Sequence, residues 1–226
     1  AAERTPRDNF FHCLVNASHQ FHNRAGDGKA YLLAGYPWFK CRARDTFISL
    51  PGLTLSLDER SYFETVMDTA AEELHLFMTG KPYEGRIYEM DKPDVPLWAI
   101  WAIQQYAKDA GVIACHKKYH KLVTEIVDFI REGRHPYMTL RDNGLLYIDS
   151  KDQALTWMNA TVDGKPINPR TGYVVEINAL WYNALRFSAY MAGETGCPDH
   201  AEKMEAQAEQ CREAFVATFL NDYGYL

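Results

Sequence analysis

The hydrophobic positions along this chain recur mostly at helical spacing. Phe10, Phe11, Leu14 and Val15 form one stripe over residues 8–22. Tyr62, Phe63, Val66, Met67, Ala70, Leu74 and Phe77 repeat at three and four over 59–78, and Tyr119, Leu122, Val123, Ile126, Val127 and Ile130 do the same over 116–132. A narrower stripe of Ala201, Met204, Ala208, Cys211, Phe215 and Phe219 runs through 200–219. Three further segments, 46–56, 96–107 and 176–192, are apolar on most sides. Gly26, Asp27 and Gly28 break the first helix, Gly80 and Pro82 end the helix at 59–78, and Asp45 or Thr46 reads as the N-cap of the segment at 46–56. AYLLAGYPWF (30–39) reads as extended chain or loop, since Pro37 disfavours helix at Tyr36. Residues 133–172 are irregular apart from a short strand at LLYI (145–148). A connection of this length usually goes with function or disorder, and its apolar content argues against disorder.

A helix that is apolar all round is buried, whereas one with a single stripe faces solvent. The segments at 8–22, 59–78, 116–132 and 200–219 therefore read as outer helices, and those at 46–56, 96–107 and 176–192 as inner ones. An outer–inner alternation over seven helices describes an all-α, α/α toroid with two concentric rings. A plain bundle also has short antiparallel connections, but it does not require the alternation. The inner set is expected to be more buried than the outer set. The 226 residues read as one domain of this kind.

Composition narrows the partners. Hydrophobic residues make up 47% of the chain, enough for a core, and aromatic residues 13%, with five Trp and fourteen Tyr available as packing or stacking surfaces. The net charge is −6 and there is no Lys/Arg run, which speaks against nucleic acid and anionic membranes as partners. Cys13, Cys41, Cys115, Cys197 and Cys211 are odd in number and scattered, which argues against a disulfide framework and points to a reducing compartment, the cytoplasm. No apolar run approaches the ~18 residues of a membrane span. The start, AAERTPRDNF, has neither Met nor a signal-like apolar region, so further sequence upstream is expected.

The richest chemistry lies between Leu155 and Asn183. Trp157 and Met158 stand on a polar loop, Gly164, Pro166, Pro169 and Gly172 turn the chain, and the apolar helical segment follows. Trp beside amides and charges suits a sugar, which has hydroxyl edges and C–H faces. Charged clusters precede each inner segment: Arg44-Asp45 the first, Asp94 the second, and Asn159, Lys165, Arg170 and Glu176 the third. In a toroid these would converge on one mouth, next to Trp38, Trp98 and Trp157, although a carboxylate at a helix start is also an ordinary cap. Other signals are weaker. His116 and His120 have the i, i+4 spacing of metal ligands, but no Glu completes H-E-x-x-H and neighbouring lysines suggest an exposed face. His12, His19 and His22 read as helix surface. Arg141-Asp142-Asn143-Gly144 reads as a turn, and with Asp149 and Asp152 it fits no EF-hand spacing. Cys41 lies near Arg42 and Arg44 with no His nearby in sequence, and reads as structural. No metal is expected.

Three blocks, AGYPWFKCRARDTFISLPGL (34–53), PDVPLWAIWAIQQY (93–106) and TWMNATVDGKPINPRTGYVVEINALWYNAL (156–185), resemble the amylo-α-1,6-glucosidase domain of bacterial and archaeal-type glycogen debranching enzymes. The resemblance covers most of the chain. It implies an (α/α)6 barrel, here with about seven of twelve helices, and inverting hydrolysis of α-1,6-linked glucose at branch points of glycogen or limit dextrin, without an organic cofactor. It also implies that Arg44 and Asp45 of the R-D-T-F block bind the glucose in the cleavage subsite, and that Asp94 and Trp98 of the D-x-x-L-W block help line it. Lys165, Glu176 and Asn178 would complete the polar wall, with Trp38, Trp157 and Trp181 as apolar surface. Two departures stand out. The family's T-W-M-D is T-W-M-N here, so Asn159 occupies the place of the general acid, with Glu176 as the substitute candidate. The family's base is expected beyond Leu226, with the chain ending inside the domain and its uncovered inner-helix faces open to self-association. The rival readings are a non-catalytic glucan-binding protein and another toroid sugar enzyme, such as an epimerase, which would work through His pairs.

Overall fold

A computed structural model describes residues 6–33, 38–82 and 84–225. The chain is all-α: helix accounts for 57% of it, with seven α-helices and only short strands among the described residues. It gathers into two compact units, Ala1–Met90 and Asp91–Leu226.

In the first unit, α1 (Phe10–Ser18) starts on Asn9, whose side-chain oxygen accepts the His12 N–H at 2.9 Å. It runs into a 3-10 turn at His19–Phe21 and then a strand, β1 (His22–Arg24), paired antiparallel with β2 (Ala30–Leu32). The helix read over 8–22 thus stops early because His22–Arg24 find strand partners. Its apolar stripe is not core either: Phe10, Phe11 and Leu14 are exposed. β3 (Cys41–Arg42) pairs parallel with β4 (Ile87–Tyr88), and the chain passes directly from β3 into α2 (Ala43–Leu53). The extended Arg42 is therefore the N-cap, and Asp45 sits within the first turn instead of capping it. Its carboxylate still meets the positive end of the helix dipole there. α3 (Arg60–Met78) packs Phe63, Val66, Met67, Ala70 and Leu74 into the core together with Phe47 and Leu50 of α2. Its buried Glu73 accepts the N–H groups of Arg86 and Ile87 at 3.1 and 2.9 Å, which holds β4 in place. The expected contrast in burial fails in this unit: five of the eleven residues of α2 and nine of the nineteen of α3 are buried, nearly the same share.

In the second unit α4 (Val95–Ala110) and α5 (Val112–Arg131) are joined by Gly111 alone, at φ +89°. α6 (Val175–Glu194) and α7 (Pro198–Phe219) are joined through Gly196 at φ +81°. These conformations are nearly free for glycine and costly for other residues, so each connection can be as short as it is. Here the alternation holds. Nine of sixteen residues of α4 and ten of twenty of α6 are buried, against seven of twenty in α5 and three of twenty-two in α7. The stretch between α5 and α6 is more ordered than its sequence suggests. β5 (Met138–Leu140), β6 (Leu146–Ile148) and β9 (Gly172–Tyr173) form an antiparallel sheet, and β7 (Thr161–Val162) and β8 (Lys165–Pro166) a small hairpin. The Arg141–Gly144 turn closes β5 onto β6, the Gly144 N–H donating to the Arg141 carbonyl at 2.8 Å. Gly144 has φ +87°, and a Cβ there would come to a tight 3.2 Å from the Cys211 nitrogen on α7, so both its conformation and its close approach to α7 favour glycine.

Candidate functional site

The loop between Leu155 and Val174 emerges from the core at both ends. Leu155 and Thr156 are buried, and the Thr156 hydroxyl accepts the Met158 N–H at 3.2 Å, turning the chain outward. Trp157, Met158 and Asn159 follow, all exposed, with Trp157 at 59%. The chain then folds back through the β7–β8 hairpin, whose turn residues Asp163 and Gly164 both have positive φ, at 50° and 77°. Asp-Gly is the dipeptide such two-residue hairpin turns favour. The Ile167 N–H donates to the Ala160 carbonyl at 3.0 Å and extends the pairing by one step. Lys165 is exposed on this hairpin, as are Val162 and Ile167.

Two polar clamps close the stem of the loop. Ser150 and Thr171 share a hydroxyl–hydroxyl hydrogen bond of 2.5 Å. Arg170 forms a two-pronged ion pair with Glu176 in the first turn of α6: Nη2 donates to Oε2 at 2.9 Å and Nη1 to Oε1. The same Nη1 reaches the Thr156 hydroxyl at 3.5 Å. Planar pairing of this kind fixes orientation as well as position. It gives Glu176 a structural task beside the one expected of it as a substitute acid, since each of its oxygens accepts from Arg170. Arg170 was grouped with the polar residues of this stretch, but its clamping role requires knowing that residues 156 and 176 are neighbours.

Two residues assigned to the substrate wall by resemblance lie in the interior instead. Asn178 is fully buried. Its side-chain oxygen accepts the Leu146 N–H at 2.7 Å, and its amide nitrogen donates to the carbonyls of Leu146 and Val174, both at 3.0 Å. With its amide spent on backbone, it joins β6 to the start of α6. Trp181, one turn further on the same helix face, is 1% exposed and packs as core.

Asp94 is the N-cap residue of α4 and is buried. Its Oδ2 accepts the Trp98 indole N–H at 3.2 Å, and Trp98 meets Trp101 edge to face with centroids 5.5 Å apart. The carboxylate thus fixes the orientation of the half-buried Trp98 ring. In the first unit, Trp38 is 82% exposed, Asp45 is exposed and Arg44 half-buried in the first turn of α2, and Cys41 is buried, with burial pushing its thiol pKa up. That direction fits a structural cysteine. His116 and His120 do not stand on open surface as their lysine neighbours suggested. With Ser188, Met191, Cys197 and His200 of the α6–α7 region they line a cavity of about 180 Å³, their rings stacked 4.4 Å apart and the His120 Nδ1 bonded to the His116 carbonyl at 2.7 Å.

What the Leu155–Val174 loop can offer a ligand is an exposed indole, an exposed amide and an exposed ammonium on a hairpin pinned to a helix N-terminus. That set suits hydroxyl edges and C–H faces. A model of the family described as amylo-alpha-1,6-glucosidase matches residues 16–225 of the chain. No curated protein matches it. The match covers both units and every block discussed above, and the chain belongs to the amylo-alpha-1,6-glucosidase family, whose domains are all-α, toroid-like and glycosidase-related.

Proposed function

We propose that this protein acts on α-1,6-linked glucose at the branch points of glycogen or limit dextrin, with inversion at the anomeric carbon. The family match over residues 16–225 carries the reading. The exposed Trp157–Met158–Asn159 tip supports it, because it presents stacking surface and an amide at a stem held by the Arg170–Glu176 pair. Trp157 offers a ring for the sugar's C–H face. In the same unit Asn159 and Lys165 offer hydroxyl partners and Asp94 holds Trp98 ready; in the first unit, taken by itself, Arg44 and Asp45 offer hydroxyl partners and Trp38 apolar surface. The five thiols are free, which suits a reducing compartment, and we place the protein in the cytoplasm. Among the described residues, no helix is long and apolar enough to cross a membrane.

Inverting hydrolysis pairs a protonated acid at the leaving oxygen with a carboxylate that activates water, the two roughly 6.5–9.5 Å apart. Asn159 has the shape and reach of Asp but no acidic proton. In its place, leaving-group protonation is expected to limit turnover, and Asn159→Asp, in a protein that also supplies the carboxylate base, should raise glucose release from a singly branched dextrin by roughly 10²–10⁴-fold. If the native protein already matches the Asp variant, the proton comes from another group. The second reading, a glucan-binding protein without hydrolysis, is favoured by Asn159 itself. It gains if both proteins bind the dextrin by calorimetry and neither releases glucose.

A further inference from the structure

We propose that His19, His22 and Glu59 form a binding site for a single divalent transition-metal ion of the zinc type. The three ligand atoms all lie within 4.8 Å of one another, and they are the grouping of this kind found among the described residues. They come from three separate pieces of the first unit: the 3-10 turn after α1, the first residue of β1, and the residue that precedes α3. Two imidazoles and one carboxylate are a donor set that zinc accepts, with a fourth position left to water. Imidazole nitrogen favours such an ion over calcium or magnesium, which take oxygen ligands.

The detail that points to an ion is the setting of His22. Its Nε2 lies 3.0 Å from the Leu53 carbonyl, a position only an N–H can occupy favourably. In the neutral ring this leaves a lone pair on Nδ1, and Nδ1 faces Glu59 Oε2 at 3.6 Å. A lone pair and a carboxylate oxygen thus confront each other across a gap too wide for a hydrogen bond. Metal–nitrogen and metal–oxygen bonds of about 2.0–2.2 Å at a tetrahedral angle place two donors roughly 3.4 Å apart. The gap is of that size. A backbone carbonyl holding the distal N–H is also the usual outer support of a metal-bound imidazole.

The remaining ligands fit. His22 is stacked on Tyr62, centroids 4.2 Å apart and planes 17° from parallel, so its ring is held rather than free to turn away. Its side chain is 12% exposed, whereas those of His19 and Glu59 are 35% and 33% exposed, which leaves an approach from solvent. His19 Nε2 sits 2.7 Å from Glu59 Oε1. An ion would replace the proton they share and draw His19 Nε2 onto itself through a small movement of an accessible side chain. Bound there, it would tie the N-terminal segment to the start of α3.

The test is a calorimetric titration of the metal-stripped 226-residue protein with Zn²⁺, alongside Co²⁺ as a spectroscopic probe. One equivalent should bind, and Co²⁺ should show the intense visible bands of tetrahedral nitrogen and oxygen ligation without a thiolate charge-transfer band. Loss of an outer support alone lowers metal affinity roughly 10–100-fold, so His22→Gln or Glu59→Gln should lower it by at least about a hundredfold. His19→Ala, on the more exposed ring, reads the same site if either of the others disturbs folding as judged by circular dichroism. The double variant His116→Ala, His120→Ala should bind as the native protein does. Absence of one-equivalent binding in the native protein overturns the proposal. So does binding that survives loss of His19 and His22, or that disappears with His116 and His120.

Discussion

The stretch between α5 and α6 contains two regions built in opposite ways. Residues 135–150 bury two polar side chains, His135 and Ser150, beside apolar ones. His135, Leu146, Ile148 and Ser150 are buried, and Asn178 reaches from α6 to bond both backbone groups of Leu146. Residues 157–169 turn their apolar groups outward, with Trp157, Met158, Val162 and Ile167 exposed on a hairpin. The first region ties buried polar groups to partners brought from elsewhere in the chain, Ser150 to Thr171 and the Leu146 backbone to Asn178. The second leaves apolar surface in water, which a stable fold does not need and a ligand can use. Support and presentation are thus separated in sequence by only a few residues, and joined at the stem by the Ser150–Thr171 and Arg170–Glu176 contacts. The contrast predicts that damage in the first region is read in stability and damage in the second in binding.

The largest effect is expected at Asn178. Asn178→Ala strands the N–H and carbonyl of Leu146 in the interior, at about 1–3 kcal/mol for each unsatisfied group. A loss of about 4 kcal/mol in urea unfolding, with a matching fall in Tm, is the expected result. A loss below about 1 kcal/mol would mean that β6 does not depend on α6, and the contrast would fail at its supporting half.

Acid should destabilise the same region next. Burial of His135 pushes its pKa down to about 4 from 6.5, against the opposing influence of the Asp91 charge and a backbone hydrogen bond at Lys92. Its Nδ1 accepts the Tyr137 N–H at 3.2 Å, which the neutral ring allows and a doubly protonated one does not. Between these two pH values the unfolded chain binds more protons than the folded one. Stability is therefore whole above pH 6.5 and declines as the pH falls toward 4, by a total of about 3 kcal/mol. Unfolding midpoints measured from pH 7.5 to 4 should show this limb, and His135→Gln should flatten it. An unchanged acid limb in the variant would assign the loss to other groups.

The smallest effect in energy is the sharpest for function. Trp157→Ala should leave stability within about 0.5 kcal/mol of the native protein, as surface changes usually do. Its affinity for a branched dextrin should fall by about 1 kcal/mol, roughly fivefold, the worth of a stacking face. A fall in Tm with unaltered dextrin affinity would make Trp157 part of the support, and the two regions would no longer divide the work.

The sequence by itself determined the helices at 59–78, 116–132 and 200–219 to within a few residues, because a one-sided apolar stripe is a local signal that burial in any context preserves. It also determined the family, since the R-D-T-F, D-x-x-L-W and T-W-M-N blocks are local strings. The strand at 145–148 and the Arg141–Gly144 turn were legible for the same reason. Tertiary structure decided what depended on distant partners. The apolar stripe of α1 looked like core, yet Phe10 and Phe11 are exposed, because a stripe states that a face is apolar and not that anything covers it. Asn178 and Trp181 looked like site residues from their block. They are interior because α6 turns that face onto β6 and the core, and only the fold shows which side of an all-round apolar helix meets what. The meeting of His19 and His22 with Glu59 lay beyond any local pattern. Some forty residues separate them, and their approach follows from the β1–β2 pairing and the packing of α3, whose energies come from hydrogen bonds and buried surface elsewhere.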